Sequence, residues 1–472
     1  MMKKTYITTA IPYVNGKPHI GHAMDYCLAD VCARYLRLKG DEVRFQAGTD
    51  EHGGKIFKKA EEIGVPVQQY VDENAKSFQD FIHQLGVEYT DFVRTTDEWH
   101  MKRCQEIWRR LSDHIYKAKY EGWYCTGCER FITDKEVEEN HGICPDHQKP
   151  YEKLAEENYY FRIADFKEQI IEAIESGKME ILPDFRKKEI LKLIEESPDV
   201  SVSRPVSQLT WGVPVPDDDS QVMYVWIDAL SNYITVLGYP DNPIDEWWPA
   251  HAQFVGKDIL RFHAIIWPAM LLGLGLPLPK TLVSHGMVLS NGQKMSKSIG
   301  NVVDPMEVLS RHGVDGFRYF FLRHIDTFAD SDFTWDKFED AYNNELANDL
   351  GNLVQRLATL AHKNNFELKD VPELSLPAEY TELMDNYQFS AAFDYVWNIL
   401  QGLNRKIDEQ KPWNLAKEGK TEELNQCLND LIQELLLANK LLTPFLPNAC
   451  EKISAIFSNP IVPPEVPLFP KN

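Results

Sequence analysis

The sequence has no hydrophobic run long enough to cross a membrane. Its longest apolar stretch, 264–278, is interrupted by Pro268, Pro277 and several glycines, whereas a spanning helix needs about 20 apolar residues. The N-terminus begins Met1, Met2, Lys3 and lacks the apolar segment of a secretory signal. We therefore expect a protein that is neither secreted nor inserted in a membrane, and we predict a cytoplasmic location.

Positive charge is scarce relative to negative charge. The chain has 50 Lys and Arg against 72 Asp and Glu, a net charge of −22 at pH 7. This total argues against tight, non-specific binding of nucleic acid, which relies on clustered cations. A local basic groove stays compatible with it, because salt screens electric fields beyond roughly 10 Å. The chain also has eight cysteines, including a CxxC pair, which favours metal binding over disulfides in a non-secreted protein.

Internal repeats and low-complexity tracts are absent as well, and 472 residues predict two or three domains. The N-terminal part alternates between strand and helix patterns. Strands are predicted at 5–10 and 43–47, and helices at 20–38, 54–64 and 68–85. Such alternation is typical of a parallel α/β sheet that binds ligands at the carboxyl ends of its strands.

The alternation lapses over 115–220, where aromatic, turn and Cys/His residues dominate, and we interpret this segment as an insertion. Strands are predicted again at 222–226, 253–256 and 281–285. From 338 to 456 the pattern is that of long amphipathic helices, which predicts a helical bundle. The tail from Pro460 is too rich in proline to be helical.

A short segment near the N-terminus, His19-Ile20-Gly21-His22, has two imidazoles at a predicted helix start. Both histidines can donate to phosphate oxygens, and the helix start adds its own N–H groups. Gly21 allows an adenine or a phosphate to approach the backbone without meeting a Cβ. The alternative is a pair of surface histidines at a helix N-cap.

A second polar segment, Lys294-Met295-Ser296-Lys297-Ser298, carries two lysines three residues apart. Two ammonium groups can hold the β- and γ-phosphates of a nucleotide while charge develops on a departing pyrophosphate. The alternative is a solvated turn. Both segments together, in this order, predict a site for a nucleoside triphosphate.

A cysteine–histidine cluster follows metal-ligand spacing. Cys125 and Cys128 form a CxxC pair, and Cys144 and His147 form a CxxH pair after fifteen residues. This arrangement can close a tetrahedral Cys3His zinc site, and four protein ligands indicate a structural role. Free thiols beside a surface histidine are the alternative, and His141 is a competing ligand.

The two phosphate-binding segments resemble the HIGH and KMSKS elements of class I aminoacyl-tRNA synthetases. Residues 10–16, 48–53, 224–229 and 256–263 resemble the methionyl-tRNA synthetases within that class. The similarity runs from 8 to 469. It implies a methionine–tRNA ligase that makes methionyl-adenylate and pyrophosphate from methionine and ATP. Such an enzyme then transfers methionine to the 3′ end of tRNA(Met), initiator tRNA included.

The resemblance also implies roles for individual residues. Of the catalytic residues, His19, His22 and Lys297 would stabilise charge on the phosphates together with Mg2+, and Lys294 would help to order the loop. ATP would contact Pro18, Gly21, Gly256, Asp258, Ser296 and Lys297. Methionine would contact Ala10, Ile11, Tyr13, Trp226, Tyr233 and His285, with Asp50 on its α-ammonium group. The alternatives are core packing for the aromatic residues, the buried end of a strand for Ala10 and Ile11, and a helix N-cap for Asp258.

In the helical region the resemblance implies that Asn352, Arg356 and Trp413 read the anticodon. Stacking on an indole and hydrogen bonding to base edges are how single-stranded loops are recognised. The alternative is a surface Asn/Arg pair and a tryptophan that packs in the bundle. In the same family the zinc knuckle helps to present the acceptor end of tRNA.

The predicted fold is a Rossmann-like parallel-sheet catalytic domain, split by a zinc-knuckle insertion and followed by an all-α anticodon-binding bundle. The predicted boundaries are 1–114 and 221–300 for the two catalytic halves, 115–220 for the insertion, 301–340 for a stem-contact linker, 341–458 for the bundle and 459–472 for the tail. No β-barrel module follows the bundle, which favours a monomer.

Two alternatives remain open: a class I synthetase for another amino acid, and a non-catalytic paralogue that binds tRNA or a protein. The insertion is too small for the editing domain of the isoleucine, valine and leucine enzymes, and a cysteine enzyme would place zinc in its substrate pocket.

Overall fold

The computed structural model describes residues 2–126, 130–145, 147–295, 301–369 and 375–471. The strands are β1 Lys4–Thr9, β2 Glu42–Thr49, β3 Asp91–Arg94, β4 Ile115–Cys125, β5 Arg130–Ile132, β6 Glu152–Phe161, β7 Glu180–Leu182, β8 Val200–Ser201, β9 Ser203–Pro205, β10 Gln221–Met223, β11 Ala252–Gly256, β12 Thr281–His285, β13 Val288–Ser290, β14 Gln293–Lys294 and β15 Ser331–Phe333.

The α-helices are α1 Ile20–Leu38, α2 Gly54–Ile63, α3 Val67–Gln84, α4 Glu98–Arg110, α5 Asp134–Glu139, α6 Lys167–Glu175, α7 Asp184–Glu196, α8 Val225–Thr235, α9 Leu260–Ala264, α10 Ile266–Gly273, α11 Pro305–Arg323, α12 Trp335–Asp340, α13 Asn352–Lys363, α14 Ala378–Asp385, α15 Phe389–Gln410, α16 Pro412–Lys417, α17 Thr421–Leu442 and α18 Pro447–Ile456. A π-helical stretch, Ala341–Gly351, joins α12 to α13. Every helix in the described ranges is too short or too polar to cross a lipid bilayer.

A six-stranded parallel sheet forms the centre of the N-terminal part, in the order β3-β2-β1-β11-β12-β7. Ile7 of the central strand β1 is fully buried and pairs with Phe45 on one side and Ala252 on the other. The chain leaves β1 toward β2 and β3, and the strands on the far side, β11 and β12, come later in the sequence. The carboxyl ends of β1 and β11 therefore lie at a topological switch point, where doubly wound sheets open a crevice for ligands.

The predicted insertion at 115–220 is not a separate module throughout. Strands β4, β5, β6 and β8 form an antiparallel sheet of their own. However, β7 joins the main sheet beside β12, where Ile181 pairs with Leu282. The middle of the predicted insertion thus supplies an edge strand of the catalytic sheet.

The prediction of a strand at 222–226 is wrong for most of that segment. Only Gln221–Met223 forms a strand, and it pairs antiparallel with β9 outside the main sheet. Val225 and Trp226 already belong to α8. A short run of apolar residues does not distinguish a strand from a buried helix, so the surroundings decide its conformation.

A buried ion pair joins α11 to α1, the helix that follows the central strand β1. Arg318 of α11 and Asp30 of α1 are both fully buried, and Arg318 Nη2 lies 2.8 Å from an oxygen of Asp30. The same guanidinium donates to the carbonyl oxygens of Pro444 and Phe445. This contact holds α1, the helix that begins at the histidine pair His19 and His22, against the bundle. The tail after Pro460 contains no helix up to residue 471, as predicted.

Candidate active site

A cleft of about 1400 Å3 opens at the carboxyl ends of β1 and β11. Of the residues predicted to bind ATP or methionine, those that line it are Ala10, Ile11, Tyr13, Pro18, His19, Gly21, His22, Asp50, Trp226, Tyr233, Gly256, Asp258, His285 and Lys294. Ser296 and Lys297 lie outside the described residues. The fold therefore brings the histidine turn, His19-Ile20-Gly21-His22, to the same crevice as Lys294. His19 and Lys294 are 275 positions apart in the sequence.

The histidine turn begins α1 with a reciprocal capping arrangement. The N–H of Gly21 donates to Nδ1 of His19 at 3.1 Å, and the N–H of His19 donates to Nδ1 of His22 at 3.2 Å. A ring nitrogen that accepts a hydrogen bond carries no proton, so each neutral ring holds its proton at Nε2. The two rings stack with their centroids 3.7 Å apart. The backbone thus sets both imidazoles as Nε2–H donors.

His22 is held in its neutral form. Burial lowers the pKa of His22 well below its ordinary value, and the adjacent His19 lowers it further. The ring also meets the edge of Phe78 from α3, with centroids 5.1 Å apart. A Cβ at Gly21 would lie 3.0 Å from Cε1 of His19, so a larger residue at this position would require the capping imidazole to shift by a few tenths of an ångström.

Only part of the lysine segment lies within the described residues. Lys294 is exposed in the short strand β14, which pairs antiparallel with β13. Its backbone carbonyl accepts a hydrogen bond from the Nδ2 of Asn301 at 3.3 Å. Lys294 and Met295 both line the cleft. The strand therefore starts the lysine segment at the rim of the same crevice as the histidine turn.

Asp50 is fixed at the end of β2. Its N–H donates to the carbonyl of Pro12 at 2.9 Å, and its carbonyl accepts from the N–H of Val14 at 3.1 Å. The residue is only 7% exposed. These backbone contacts, which continue the parallel pairing of β1 and β2 beyond their ends, place a carboxylate in the cleft where a ligand cation can neutralise it.

Aromatic side chains form the apolar wall of the cleft. Trp226 stacks on Phe262 with centroids 3.7 Å apart and an interplanar angle of 17°. The hydroxyl of Tyr233 lies 2.8 Å from Nε2 of His263, while Nδ1 of His263 donates to the carbonyl of Ile259. Nε2 is therefore the acceptor of the tyrosine proton. Burial lowers the pKa of His263 to about 4, which keeps the ring neutral at physiological pH.

His263 and Asp25 were missed by the sequence analysis, and both line the cleft. His263 lies within the block 256–263 but had no separate signal, since a histidine next to a phenylalanine is common in cores. Asp25 lies one helical turn after the histidine turn, and one of its oxygens is 2.7 Å from Nε2 of His285. The periodicity of an amphipathic helix does not tell a carboxylate that faces a ligand from one that faces water.

His285 carries a partner on each ring nitrogen. Nδ1 lies 2.8 Å from the carbonyl oxygen of Gly286, and Nε2 lies against Asp25. Burial opposes charge on this ring, but the Asp25 carboxylate outweighs burial and raises the pKa of His285. Because both neighbours are acceptors, the charged ring satisfies both of them. The predicted contact of His285 with methionine stays a prediction.

Gly256 and Asp258 follow β11 at the crevice. A Cβ on Gly256 would lie 2.8 Å from Oδ1 of Asp258, so the close approach of that carboxylate depends on glycine. The N-cap of α9 is Ile259, so the alternative of Asp258 as the N-cap does not hold. Asp258 is therefore a carboxylate that lines the cleft, and its predicted contact with ATP stays a prediction.

Three of the four predicted zinc ligands converge. The ligand atoms of Cys125, Cys144 and His147 all lie within 4.8 Å of one another, and Sγ of Cys144 is 3.5 Å from Nδ1 of His147. A tetrahedral zinc with ordinary bond lengths would hold a sulfur and a nitrogen about 3.6 Å apart, so the donor set fits this metal. Cys128 lies outside the described residues. In the described part of the chain this cluster does not include the competing ligand His141.

The predicted anticodon readers lie together in the helical region. Asn352 is the first residue of α13 and is exposed, and Arg356 follows one turn later. The guanidinium of Arg356 lies 5.7 Å from the ring centroid of Trp413 and pairs with Asp408 at 2.7 Å. Trp413 is the second residue of α16 and is 36% exposed. An indole, a guanidinium and an amide thus share one surface.

The comparisons with known proteins agree with this geometry. A family model described as tRNA synthetases class I (M) matches residues 5–154 and 146–358. The methionine–tRNA ligase of Caldanaerobacter subterraneus subsp. tengcongensis is 43% identical over 474 residues, which cover 96% of this chain and 74% of that protein. That of Thermotoga maritima is 39% identical over 478 residues, with 95% and 74% covered. The chain belongs to the methionyl-tRNA synthetase family of class I.

Solved structures give the same result. The Mycobacterium tuberculosis methionyl-tRNA synthetase in complex with methionyl-adenylate matches with a TM-score of 0.91 and 33% identity, covering 99% of this chain and 100% of that one. The apo form of that enzyme matches with a TM-score of 0.86 and 30% identity, covering 100% and 99%. The present structure is thus more similar to the adenylate complex than to the apo form.

Proposed function

We propose that the cleft carries out both steps of the methionine–tRNA ligase reaction, the activity of the family to which the chain belongs. One observation carries the proposal. His19, His22 and Lys294 line the same crevice as Asp50 and the aromatic wall. Donors suited to phosphates therefore stand beside a carboxylate and an apolar surface suited to an amino acid with a thioether side chain.

In the first step, a carboxylate oxygen of methionine attacks the α-phosphorus of ATP. The bond from that phosphorus to the bridging oxygen breaks, and pyrophosphate leaves with the electron pair. The Nε2–H groups of His19 and His22 donate to the phosphates, and Lys294 and Lys297 stabilise the charge on pyrophosphate. Mg2+ would enter as the counterion of the ATP phosphates. Holding both substrates in line supplies much of the rate, since the chain contributes no nucleophile.

Methionine is proposed to bind through its two ends. Asp50 pairs with the α-ammonium group, and Trp226, Tyr233 and the first residues after β1, Ala10 and Ile11, surround the side chain. The neutral ring of His263 supports this role by fixing the hydroxyl of Tyr233 without adding charge beside an uncharged sulfur. Tyr13 and His285 complete the pocket, while Pro18, Gly21, Gly256 and Asp258 contact ATP, with Ser296 from the lysine segment.

In the second step, a terminal ribose hydroxyl of tRNA(Met), initiator tRNA included, attacks the carbonyl carbon of the adenylate and AMP leaves. Asn352, Arg356 and Trp413 are proposed to read the anticodon, supported by their shared surface. Zinc would be held by Cys125, Cys128, Cys144 and His147 and would supply folding energy to the knuckle.

We further propose that the chain works as a monomer in the cytoplasm. The first point is supported by the cleft, since one copy of the chain supplies the histidine turn, Lys294, Asp50 and the aromatic wall that the proposed reaction uses. The second is supported by the cysteines of the described residues, none of which forms a disulfide: Cys27, Cys32, Cys104, Cys125, Cys144, Cys427 and Cys450.

Exchange of labelled pyrophosphate into ATP, run separately with each of the twenty amino acids, tests the assignment. We expect exchange with methionine at the highest kcat/KM by at least two orders of magnitude. Exchange that depends on another amino acid would support a different class I synthetase. A folded protein silent with all twenty would support a non-catalytic paralogue.

A further inference from the structure

A second polar cluster lies behind the methionine side of the cleft. It consists of His52, His100, Cys104, Asp228 and Thr235 and is called here the Asp228 cluster. None of its members is more than 3% exposed. Nδ1 of His52 donates to one oxygen of Asp228 at 2.6 Å, and Nε2 of His100 donates to the other at 2.9 Å. Nδ1 of His100 lies 2.8 Å from Oγ1 of Thr235.

The cluster joins three elements that otherwise come from distant parts of the chain. His52 lies in the loop after β2, two residues beyond Asp50. His100 and Cys104 are one turn apart on α4. Asp228 is on α8, two residues after Trp226 and directly before Ala229, which also lines the cleft. The hydrogen bond from His52 to Asp228 therefore links the loop that contains Asp50 to the helix that contains Trp226, part of the aromatic wall.

The distances in the cluster are those of hydrogen bonds rather than of a metal site. Donors around a tetrahedral zinc lie about 3.3 to 3.7 Å apart, given bond lengths of roughly 2.0 to 2.3 Å. The knuckle pair of Cys144 and His147 agrees with this spacing at 3.5 Å. In the Asp228 cluster the histidine nitrogens lie 2.6 and 2.9 Å from the carboxylate, and Sγ of Cys104 is 3.2 Å from Nε2 of His100.

The carboxylate at the centre is ionised. Burial alone would raise the pKa of Asp228, but His52 and His100 outweigh burial and lower it to about 2. A buried charge that is fully hydrogen-bonded holds its neighbours more firmly than a neutral contact does. The loop is also held by Trp211, whose Nε1 donates to the carbonyl of Glu51 at 2.6 Å, and by Thr95, whose hydroxyl accepts from the N–H of Glu51 at 2.9 Å. These contacts fix the loop but do not tie it to α8.

We propose that His52 and Asp228 are positioning residues for methionine, which set the distance between Asp50 and Trp226 so that both ends of the amino acid are bound at once. The proposal rests on the proposed function, because it names methionine as the ligand of this pocket. In the proposed function ATP contacts Gly256 and the histidine turn, which contain no member of the cluster. Loss of the link should therefore weaken methionine binding and leave ATP binding unchanged.

The test compares KM values in pyrophosphate exchange. His52→Leu removes the donor, and we expect the KM for methionine to rise at least tenfold while the KM for ATP stays within threefold. In His52→Asn the amide nitrogen takes the place of Nδ1, and we expect the KM for methionine to return to within threefold of wild type. His312→Leu is the matched control, since His312 is 6% exposed and pairs with Glu339 at 2.9 Å far from the pocket. It should lower Tm without changing either KM.

Two further variants keep the test decisive. If His52→Leu does not fold, Thr235→Val removes the outer hydrogen bond of His100 together with the longer bond, 3.3 Å, from the Thr235 hydroxyl to the carbonyl of Asn232 within α8. We expect a two- to fivefold rise in the KM for methionine alone. Cys104→Ala should leave the zinc content and both KM values unchanged. An equal rise in both KM values, no rise in either, or a loss of zinc in Cys104→Ala would overturn the proposal. If the wild type exchanges pyrophosphate with methionine, each of these results refutes the positioning role and leaves the proposed function standing.

Discussion

The two histidines at the start of α1 cap the helix with one ring nitrogen and are proposed to bind the nucleotide with the other, and substitutions at His22 can separate these roles. In His22→Asn the side-chain oxygen takes the place of Nδ1 and still accepts from the N–H of His19, but the Nε2–H donor is gone. In His22→Ala both are lost. The structure therefore predicts that stability and activity will respond differently to the two substitutions.

The stability effects follow from the contacts. Removal of a capping acceptor costs about 1 kcal/mol. Loss of the aromatic contact with Phe78 costs about 0.5 to 1.5 kcal/mol more. We expect His22→Ala to lower the free energy of unfolding by about 2 kcal/mol and His22→Asn by about 1 kcal/mol. Both values are small beside a typical total of about 5 to 15 kcal/mol, so both variants should fold.

The activity effects should be equal in the two variants. Loss of one preorganised donor to a developing negative charge costs about 10²- to 10³-fold in kcat. We therefore expect methionine-dependent pyrophosphate exchange to fall by that factor in both His22→Asn and His22→Ala. Exchange rates and thermal melts measured on the same preparations check the two effects together.

A matched control is His83→Asn, at the exposed end of α3 and outside the cleft, which should change neither quantity. A kcat for His22→Asn within tenfold of wild type would refute the assignment of Nε2–H as a phosphate donor. A His22→Asn variant as unstable as His22→Ala would refute the capping role.

Three more predictions concern other parts of the molecule. Trp413→Ala should lower kcat/KM for tRNA(Met) by about 5- to 150-fold, the equivalent of one lost base stack, and leave exchange without tRNA unchanged. The control Trp99→Ala removes a tryptophan of equal exposure that also lies under an arginine, and it should change neither rate. An unchanged kcat/KM for tRNA in Trp413→Ala would contradict the anticodon role. Metal analysis should find one zinc per chain. Cys144→Ser should lower the zinc content and destabilise the knuckle while methionine-dependent exchange persists. A zinc content unaffected by this substitution would contradict the ligand set. The lowered pKa of Asp228 contributes stability that is present above about pH 4 and is lost as the pH falls toward 2. In denaturant titrations over that interval, Asp228→Asn should therefore lose about 2 kcal/mol less free energy of unfolding than wild type. An equal loss of stability with acid in the two proteins would contradict the ionised state of Asp228.

Much of the architecture could be predicted because local patterns carried it. The helix predicted at 20–38 is the helix observed, Ile20–Leu38, since its apolar positions recur at helical spacing and Gly40 follows it. The strand predicted at 281–285 is likewise the observed β12. The segment at 222–226 failed for the converse reason. Its apolar residues suit either a strand or a buried helix, and their contacts in α8 decided between the two.

The residues of the candidate site also fall into two groups, those that a local pattern predicts and those that only tertiary contacts reveal. Residue types with a direct chemical meaning, such as two histidines around a glycine or cysteines at metal-ligand spacing, could be recognised from order and spacing. Asp25 and His263 could not, because their roles depend on which side chains face them across the cleft. His285 was expected to contact methionine, and the structure adds that its ring is engaged by Asp25, a contact between residues 260 positions apart.

The sequence by itself determined the order of the elements, the residues proposed to bind phosphate and metal, and the family resemblance, because each depends on neighbours along the chain. Only the tertiary structure decided that β7 crosses back into the main sheet. It also decided which nitrogen of each imidazole holds the proton and that a buried aspartate ties the Asp50 loop to the aromatic wall. Those outcomes depend on burial and on donors and acceptors from distant segments, which meet only after the sheet has formed.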